Sequence, residues 1–332
     1  MVESKNMAAV LVDGLTKRFG DFTAVDAISF EIKEGEIFGL LGPNGAGKTT
    51  AISMLSTLLE PTSGRALLNG IDIQNDQDGV RKAIGIVFQD QSLDEELTAW
   101  ENMDFHGRLY RIPKVIREAR IGEMLRLVEL EDRQDSLVKT FSGGMRRRLE
   151  IARGLLHEPS VLFLDEPTLG LDPQTRNHLW EYIRNLNRRK GITIILTTHY
   201  MDEADRLCNR VAIIDRGRIV AMDTPANLKN RVGEDVVSIT SPDADRIAGG
   251  ITAPWILGAE QYDGQVIIRL QSAEDHLLEL LRIIGGEGYT IRSISIRKPT
   301  LEDAFLHYTG REMRQEEAGA VDRMRMMMPR RN

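Results

Sequence analysis

The chain holds a single cysteine, Cys208, among 332 residues. A lone thiol cannot close an internal disulfide, which excludes the stapled secreted scaffolds and suits a reducing cytoplasm. Long apolar runs are missing too. The best candidates, residues 161–164 and 192–196, fall far short of the roughly 18 residues of a membrane span, so work at a membrane is expected to pass through a partner. The opening Met1-Val2-Glu3-Ser4-Lys5 has neither a basic start nor an apolar stretch, so no secretory signal is expected. Cationic excess is absent: 43 Lys and Arg against 50 Asp and Glu give a formal charge of −7, which argues against wholesale nucleic-acid binding. His106, His157, His178, His276 and His307 show no metal-ligand spacing, and no zinc site is expected. What remains is a globular composition, 42% apolar and 28% charged, in a chain long enough for two domains at about 100–200 residues each.

Residues 1–229 alternate short apolar strands with helices, the pattern of an α/β nucleotide-binding fold. Strands are expected at 10–13, 28–32, 37–41, 84–88, 161–164, 192–197 and 211–215. Helical periodicity takes over in between, most clearly at 101–109 and 115–128, and marks a helical insertion over about 90–158. Strands at 236–240, 266–270 and 291–297 with helices at 273–284 and 300–307 then point to a small α+β domain over 230–310, with a ferredoxin-like arrangement as the candidate. The charged, Met-rich stretch 311–332 reads as a frayed tail.

The richest stretch is Gly42-Pro43-Asn44-Gly45-Ala46-Gly47-Lys48-Thr49-Thr50. It fits the phosphate-loop pattern G-x-x-x-x-G-K-[ST], between a strand reading at 36–41 and a helix reading at 50–59. Glycines let backbone N–H groups turn inward around a triphosphate, and the helix N-terminus adds its positive end. Lys48 is expected to reach the β- and γ-phosphates and Thr49 to hold Mg²⁺, so the chain is expected to bind a nucleoside triphosphate.

Downstream, Val161-Leu162-Phe163-Leu164-Asp165-Glu166 delivers two carboxylates at a strand's C-terminal end, where open α/β sheets place ligands. Asp165 is the expected Mg²⁺ ligand and Glu166 the expected general base for an attacking water. Alone, the pair would read as two acids capping a strand before Pro167; the upstream loop turns that reading around.

Phe141-Ser142-Gly143-Gly144-Met145 opens a helix with an apolar stripe of Met145, Leu149, Ala152 and Leu156, and Ser142 stands at its N-cap. This resembles the Ser-Gly-Gly signature of ATP-binding-cassette (ABC) ATPases, and the resemblance covers about residues 10–229 with the motifs in family order. It implies a P-loop NTPase fold of ABC ATPase type with a helical subdomain. It also implies ATP and Mg²⁺ as cofactors, and a head-to-tail dimer in which Ser142, Gly143 and Gly144 of one subunit close over ATP in the loop of another. Phe19 looks like the aromatic that stacks on adenine, with Val25 packing nearby. Gln89 resembles the glutamine that senses Mg²⁺ and water and links to a membrane partner, Asp172 the aspartate that communicates across the dimer, and His199 the switch histidine at the γ-phosphate. Without the motif order these would read as a packed turn, a structural glutamine, a helix cap and a core histidine.

Phe141 and Met145 stand where the signature commonly has Leu and Gln. The form Ser142-Gly143-Gly144-Met145-Arg146-Arg147-Arg148 resembles the daunorubicin/doxorubicin-resistance subfamily, as does Pro299-Thr300-Leu301-Glu302-Asp303-Ala304-Phe305-Leu306 near the end. Arg146–Arg148 otherwise reads as a solvated helix face. The resemblance implies a cytoplasmic ATPase, peripheral on the membrane through a separate permease and paired with a second ATPase subunit, a copy of itself or a related cassette. The resemblance further implies that it powers export of a hydrophobic drug-like or lipid-like substrate. The rival expectation is a soluble cassette ATPase in assembly, repair or translation.

Overall fold

The computed structural model describes residues 8–310 other than 234 and 263, so the stretch 311–332 lies outside the described residues. They form two compact units, dividing between Pro225 and Ala226. In chain order the first unit runs β1 (Ala8–Phe19), β2 (Phe22–Lys33), β3 (Ile37–Leu41), α1 (Lys48–Leu55), β4 (Ser63–Leu68), β5 (Ile71–Asp72), α2 (Gln77–Ala83) and β6 (Ile84–Val87). It continues through the helical stretch α3 (Ala99–Leu109), α4 (Lys114–Leu127) and α5 (Gly143–Leu155), then β7 (Val161–Asp165), α6 (Pro173–Lys190), β8 (Thr193–Thr198), α7 (Met201–Leu207), β9 (Arg210–Asp215) and β10 (Arg218–Asp223).

Two sheets result. One has the order β10-β9-β3-β8-β7-β6, parallel throughout except for β10 at its edge. The other is antiparallel, β2-β1-β4-β5. Strand β3, Ile37-Phe38-Gly39-Leu40-Leu41, is buried at every residue because parallel strands are covered on both faces. Between the sheets, Val10, Ile28, Phe30, Phe38, Leu40, Ile52, Leu55 and Phe163 form one apolar core, with Phe30 stacked on Phe38 at 5.3 Å. Register aligns the strand ends: Leu41 lies opposite Thr198, and Asp165 opposite Thr197. The loops after β3, β7, β8 and β6 therefore leave the sheet along one edge.

Helix α1 starts at Lys48 on the loop itself and stops at Leu55, shorter than the 50–59 reading. Thr57 takes a left-handed φ of +63° and Leu58 is exposed, so the chain turns away before the apolar pattern ends. Strand β4 went unread because Ser63-Gly64-Arg65 are exposed and only Ala66 and Leu68 are buried, and β5 because it is two residues long with neither buried.

The second unit follows α8 (Pro225–Asn230), which spans the division. It comprises β11 (Asp235–Thr240), α9 (Ala244–Gly250), β12 (Ile256–Tyr262), β13 (Gln265–Leu270), α10 (Ala273–Gly286), β14 (Ser293–Arg297) and α11 (Leu301–Thr309). Its antiparallel sheet has the order β12-β13-β11-β14, the βαββαβ ferredoxin-like arrangement with α11 added. Val237, Ile239, Val266, Ile268, Leu280 and Ile284 make its core.

Candidate active site

The phosphate-loop residues need their glycines sterically. A Cβ on Gly42 would sit 2.3 Å from the Ile214 carbonyl oxygen, and one on Gly47 2.5 Å from that of Ala24; Gly47 also has φ +106°. Pro43 and Ala46 are buried, Thr50 is half-buried, and Asn44, Gly45 and Thr49 are exposed at the mouth. Helix α1 carries no acidic residue in its first turn, leaving its positive end free for an anion. Lys48 is nearly buried, and its Nζ donates to the Gly42 oxygen at 2.7 Å and the Pro43 oxygen at 3.2 Å.

Strand β7 brings its carboxylates to the same place. The Thr197 hydroxyl donates to Asp165 Oδ1 at 2.5 Å and accepts from the Glu166 N–H at 3.0 Å, while the Thr49 hydroxyl donates to Asp165 Oδ1 at 3.3 Å. Glu166, only 5% exposed, has one carboxylate oxygen 3.1 Å from Lys48 Nζ and the other 2.6 Å from His199 Nδ1. Burial pushes its carboxyl up, but the His199 hydrogen bond and the Lys48 and His199 charges outweigh it and hold the group below its ordinary 4.5. The His199 ring lies against Tyr200 with centres 4.1 Å apart and planes tilted by 42°, and the Arg176 guanidinium covers Tyr200 at 4.7 Å. The sequence reading passed over that pair, which only the fold brings together.

The other expected residues divide. Gln89 is exposed and lines, with Gly143, Glu166, Gly170 and Leu171, a cleft of about 210 Å³. Ser142 and Gly143 are exposed at the start of α5, with the Ser142 hydroxyl accepting from the Met145 N–H at 3.3 Å, while Gly144 is buried against Thr175. Asp172 caps α6, accepting from the Gln174 and Thr175 N–H groups at 3.0 Å and the Thr175 hydroxyl at 2.6 Å. Those bonds hold its carboxyl below the usual range. No hydrogen bond or ion pair among the described residues joins Ser142, Asp172 or Phe19 to Lys48, Asp165 or Glu166. Phe19 ends β1 half exposed, with Lys17 Nζ 5.2 Å from its ring centre, opposite the still more exposed Phe22.

Val25 is wholly buried in the core, and a Cβ on Gly47 would come within 3.3 Å of its Cγ2, so it packs beneath the loop. One expectation needs correction. Arg146–Arg148 is not a uniformly solvated face. Arg147 is buried and bonded to the carbonyl oxygens of Phe88, Asp165 and Pro167 and to Glu150. The i, i+3 spacing that turns Arg147 inward with Glu150 does not show in a run of like charges.

The arrangement suits a hard divalent cation: the Thr49 hydroxyl and the Asp165 carboxylate are oxygen donors 3.3 Å apart, unlike the nitrogen and sulfur set of a zinc centre.

Comparison with known proteins agrees with this geometry. Residues 25–169 match the family described as ABC transporter, and residues 224–309 the C-terminal domain of the ATP-binding protein DrrA1-3-like family. The chain is 38% identical to the daunorubicin resistance ATP-binding protein DrrA3 of Streptomyces coeruleorubidus, covering 93% of this chain and 98% of that one. It is 39% identical to the Nod factor export ATP-binding protein I of Ralstonia nicotianae, covering 91% and 94%. To the linearmycin resistance ATP-binding protein LnrL of Bacillus subtilis it is 37% identical, covering 91% and 98%. Among solved structures it resembles cbiO1 of Clostridium perfringens, part of the ABC transporter complex cbiONQ, with TM-score 0.63, 31% identity and coverage of 67% of this chain and 90% of that one. It also resembles the ATP-binding cassette MJ0796, dimeric in a post-hydrolysis state with ADP and Pi, with TM-score 0.58, 30% identity and coverage of 65% and 98%. No helix among the described residues is long and apolar enough to cross a membrane.

Proposed function

The chain belongs to the ABC transporter family, as an ATP-binding, ATP-hydrolysing subunit with a DrrA-like C-terminal domain, and we propose that it powers a separate integral-membrane permease exporting a hydrophobic, drug-like or lipid-like cargo. The convergence of Lys48, Asp165, Glu166 and His199 at the mouth of the phosphate loop carries the reading. The cargo class is supported by relatives named for resistance to daunorubicin and linearmycin and for Nod factor export.

Residues 42–50 wrap the phosphates, and Lys48 exchanges the Gly42 and Pro43 carbonyls for phosphate oxygens. Phe19 offers its half-exposed ring to the base. Thr49, Asp165 and Gln89 would hold Mg²⁺, which when bound would screen the phosphate charge. Glu166, ionised at neutral pH, takes the proton of the attacking water. Its Nδ1 contact fixes the His199 ring so that Nε2 is the nitrogen left for the γ-phosphate. Ser142 and Gly143 present an exposed helix N-terminus. They close over the nucleotide of a second subunit in a head-to-tail pair, and Asp172 lies at the same joint. Opening and closing of the pair reaches the permease around residues 89–103, which places the protein on the cytoplasmic face of the membrane.

The test is capture of a tagged Glu166→Gln variant from native membranes with ATP and Mg²⁺ in mild detergent, with partners identified by mass spectrometry. A stoichiometric polytopic membrane protein lacking its own ATPase is expected. Recovery of soluble assembly, repair or translation factors alone would replace the transport reading with that of a non-transport cassette ATPase.

A further inference from the structure

The motif Arg146-Arg147-Arg148 has no role in the function proposed above. We infer that Arg147 is a positioning residue for hydrolysis, holding Glu166 and Gln89 in place from behind; the inference rests on the roles proposed above for those two residues. Arg147 is 7% exposed, and its guanidinium makes four hydrogen bonds across its planar fork. Nε donates to the Pro167 oxygen at 2.9 Å, Nη2 to the Asp165 oxygen at 2.8 Å, and Nη1 to the Phe88 oxygen at 2.5 Å and Glu150 Oε2 at 2.9 Å.

Those three carbonyls mark the two residues that flank the attacking water. Asp165 and Pro167 stand on either side of Glu166, and Phe88 immediately precedes Gln89. Glu166 has φ +48°, a left-handed conformation that a non-glycine residue keeps only where its surroundings over-determine it. Clamping the carbonyl on each side of it does that. Glu150, 2% exposed, balances the buried guanidinium charge with one oxygen and accepts from the Ser92 N–H at 2.9 Å with the other. The segment 88–92 is thereby pinned at both ends with Gln89 exposed between. Arg147 and Glu150 both belong to α5, which Ser142 caps, so the signature helix carries the brace for the water-flanking pair. A lysine cannot replace it, since a compact ammonium does not span three carbonyls arranged around one plane.

The test compares Arg147→Lys and Glu150→Gln with the wild type in steady-state ATPase, equilibrium binding of a fluorescent ATP analogue, and thermal melting. Loss of the fork lets Glu166 and Gln89 drift while the phosphate loop stays intact. In Arg147→Lys, kcat is expected to fall at least about tenfold while KM and analogue affinity stay within about twofold. In a Glu166→Gln background the same substitution is expected to slow the residual rate by less than it slows the wild type, because Arg147 acts in part through Glu166. Wild-type kcat in folded Arg147→Lys, affinity lost in step with rate, or full additivity with Glu166→Gln would each overturn the inference. Should Arg147→Lys fail to fold, Glu150→Gln decides, since it keeps the guanidinium but removes its charge partner: reduced kcat at constant KM supports the brace, and wild-type kcat refutes it. A Glu166→Gln variant at wild-type rate would instead sink the role proposed for Glu166, on which the brace rests, whereas a slow Glu166→Gln beside an unaffected Arg147→Lys sinks only the brace.

Discussion

Replacing Glu166 with Gln is expected to slow hydrolysis and tighten ATP binding at once, and the geometry gives a size to both effects. The amide keeps the volume of a side chain that is 5% exposed but removes the charge that lies between Lys48 at 3.1 Å and His199 at 2.6 Å. Loss of a general base typically costs about 10²–10⁴-fold in rate, or about 3–5 kcal/mol of barrier. The second effect comes from Lys48. Without nucleotide, wild-type Lys48 already has a carboxylate partner that ATP must displace. In the variant Lys48 keeps two carbonyls and an amide oxygen but no counter-charge, and a buried charge without a partner is costly. Most of that cost is relieved when phosphate arrives, so affinity is expected to rise at least about tenfold, or about 1.4 kcal/mol. Single-turnover phosphate release gives the first quantity and titration with a fluorescent ATP analogue the second. Wild-type turnover would refute the role of Glu166, and weaker binding would refute the account of Lys48.

Further predictions concern the loop, pH and the α6 cap. Gly47→Ala places a methyl 2.5 Å from the Ala24 oxygen at φ +106°, so ATP binding is expected to be lost in isothermal titration while the second unit retains its structure by circular dichroism. The Glu166 carboxyl is held below 4.5 in the folded chain, so its contribution to stability is full above that value and is lost as pH falls through the lower folded value. Melting curves of the nucleotide-free protein from pH 7 downward are therefore expected to fall more steeply for wild type than for Glu166→Gln. Asp172→Ala removes the acceptor of two N–H groups at the start of α6 and is expected to lower the midpoint of denaturant unfolding. An unchanged midpoint would refute the cap.

What could be read without the fold was the part where chemistry dictates contiguous residue types. Wrapping phosphates requires glycines and a lysine in fixed succession, and a buried strand ending in carboxylates is visible as Val161-Leu162-Phe163-Leu164-Asp165-Glu166. The alternation of strands and helices likewise indicated an α/β unit followed by a small α+β one. What stayed hidden depends on contacts distant in sequence. Arg147 reads as one of three surface cations until the carbonyls of Phe88 and Pro167 are seen to converge on it. Tyr200 gains meaning only through Arg176 on the neighbouring helix. The strands β4 and β12 bury too few side chains, or hold too many small and polar ones, to show an alternating pattern.

The central claim is that each hydrolytic site takes its loop from one subunit and its Ser142 from another. Complementation tests it most directly, using Lys48→Ala and Ser142→Arg variants, each inactive by itself. Mixed in equal amounts, they form hybrid pairs in which the intact loop of one faces the intact Ser142 of the other, and about one quarter of the wild-type ATPase rate is expected to return. A mixture as inactive as its components, under conditions where hybrid pairs are shown to form, would contradict the shared site.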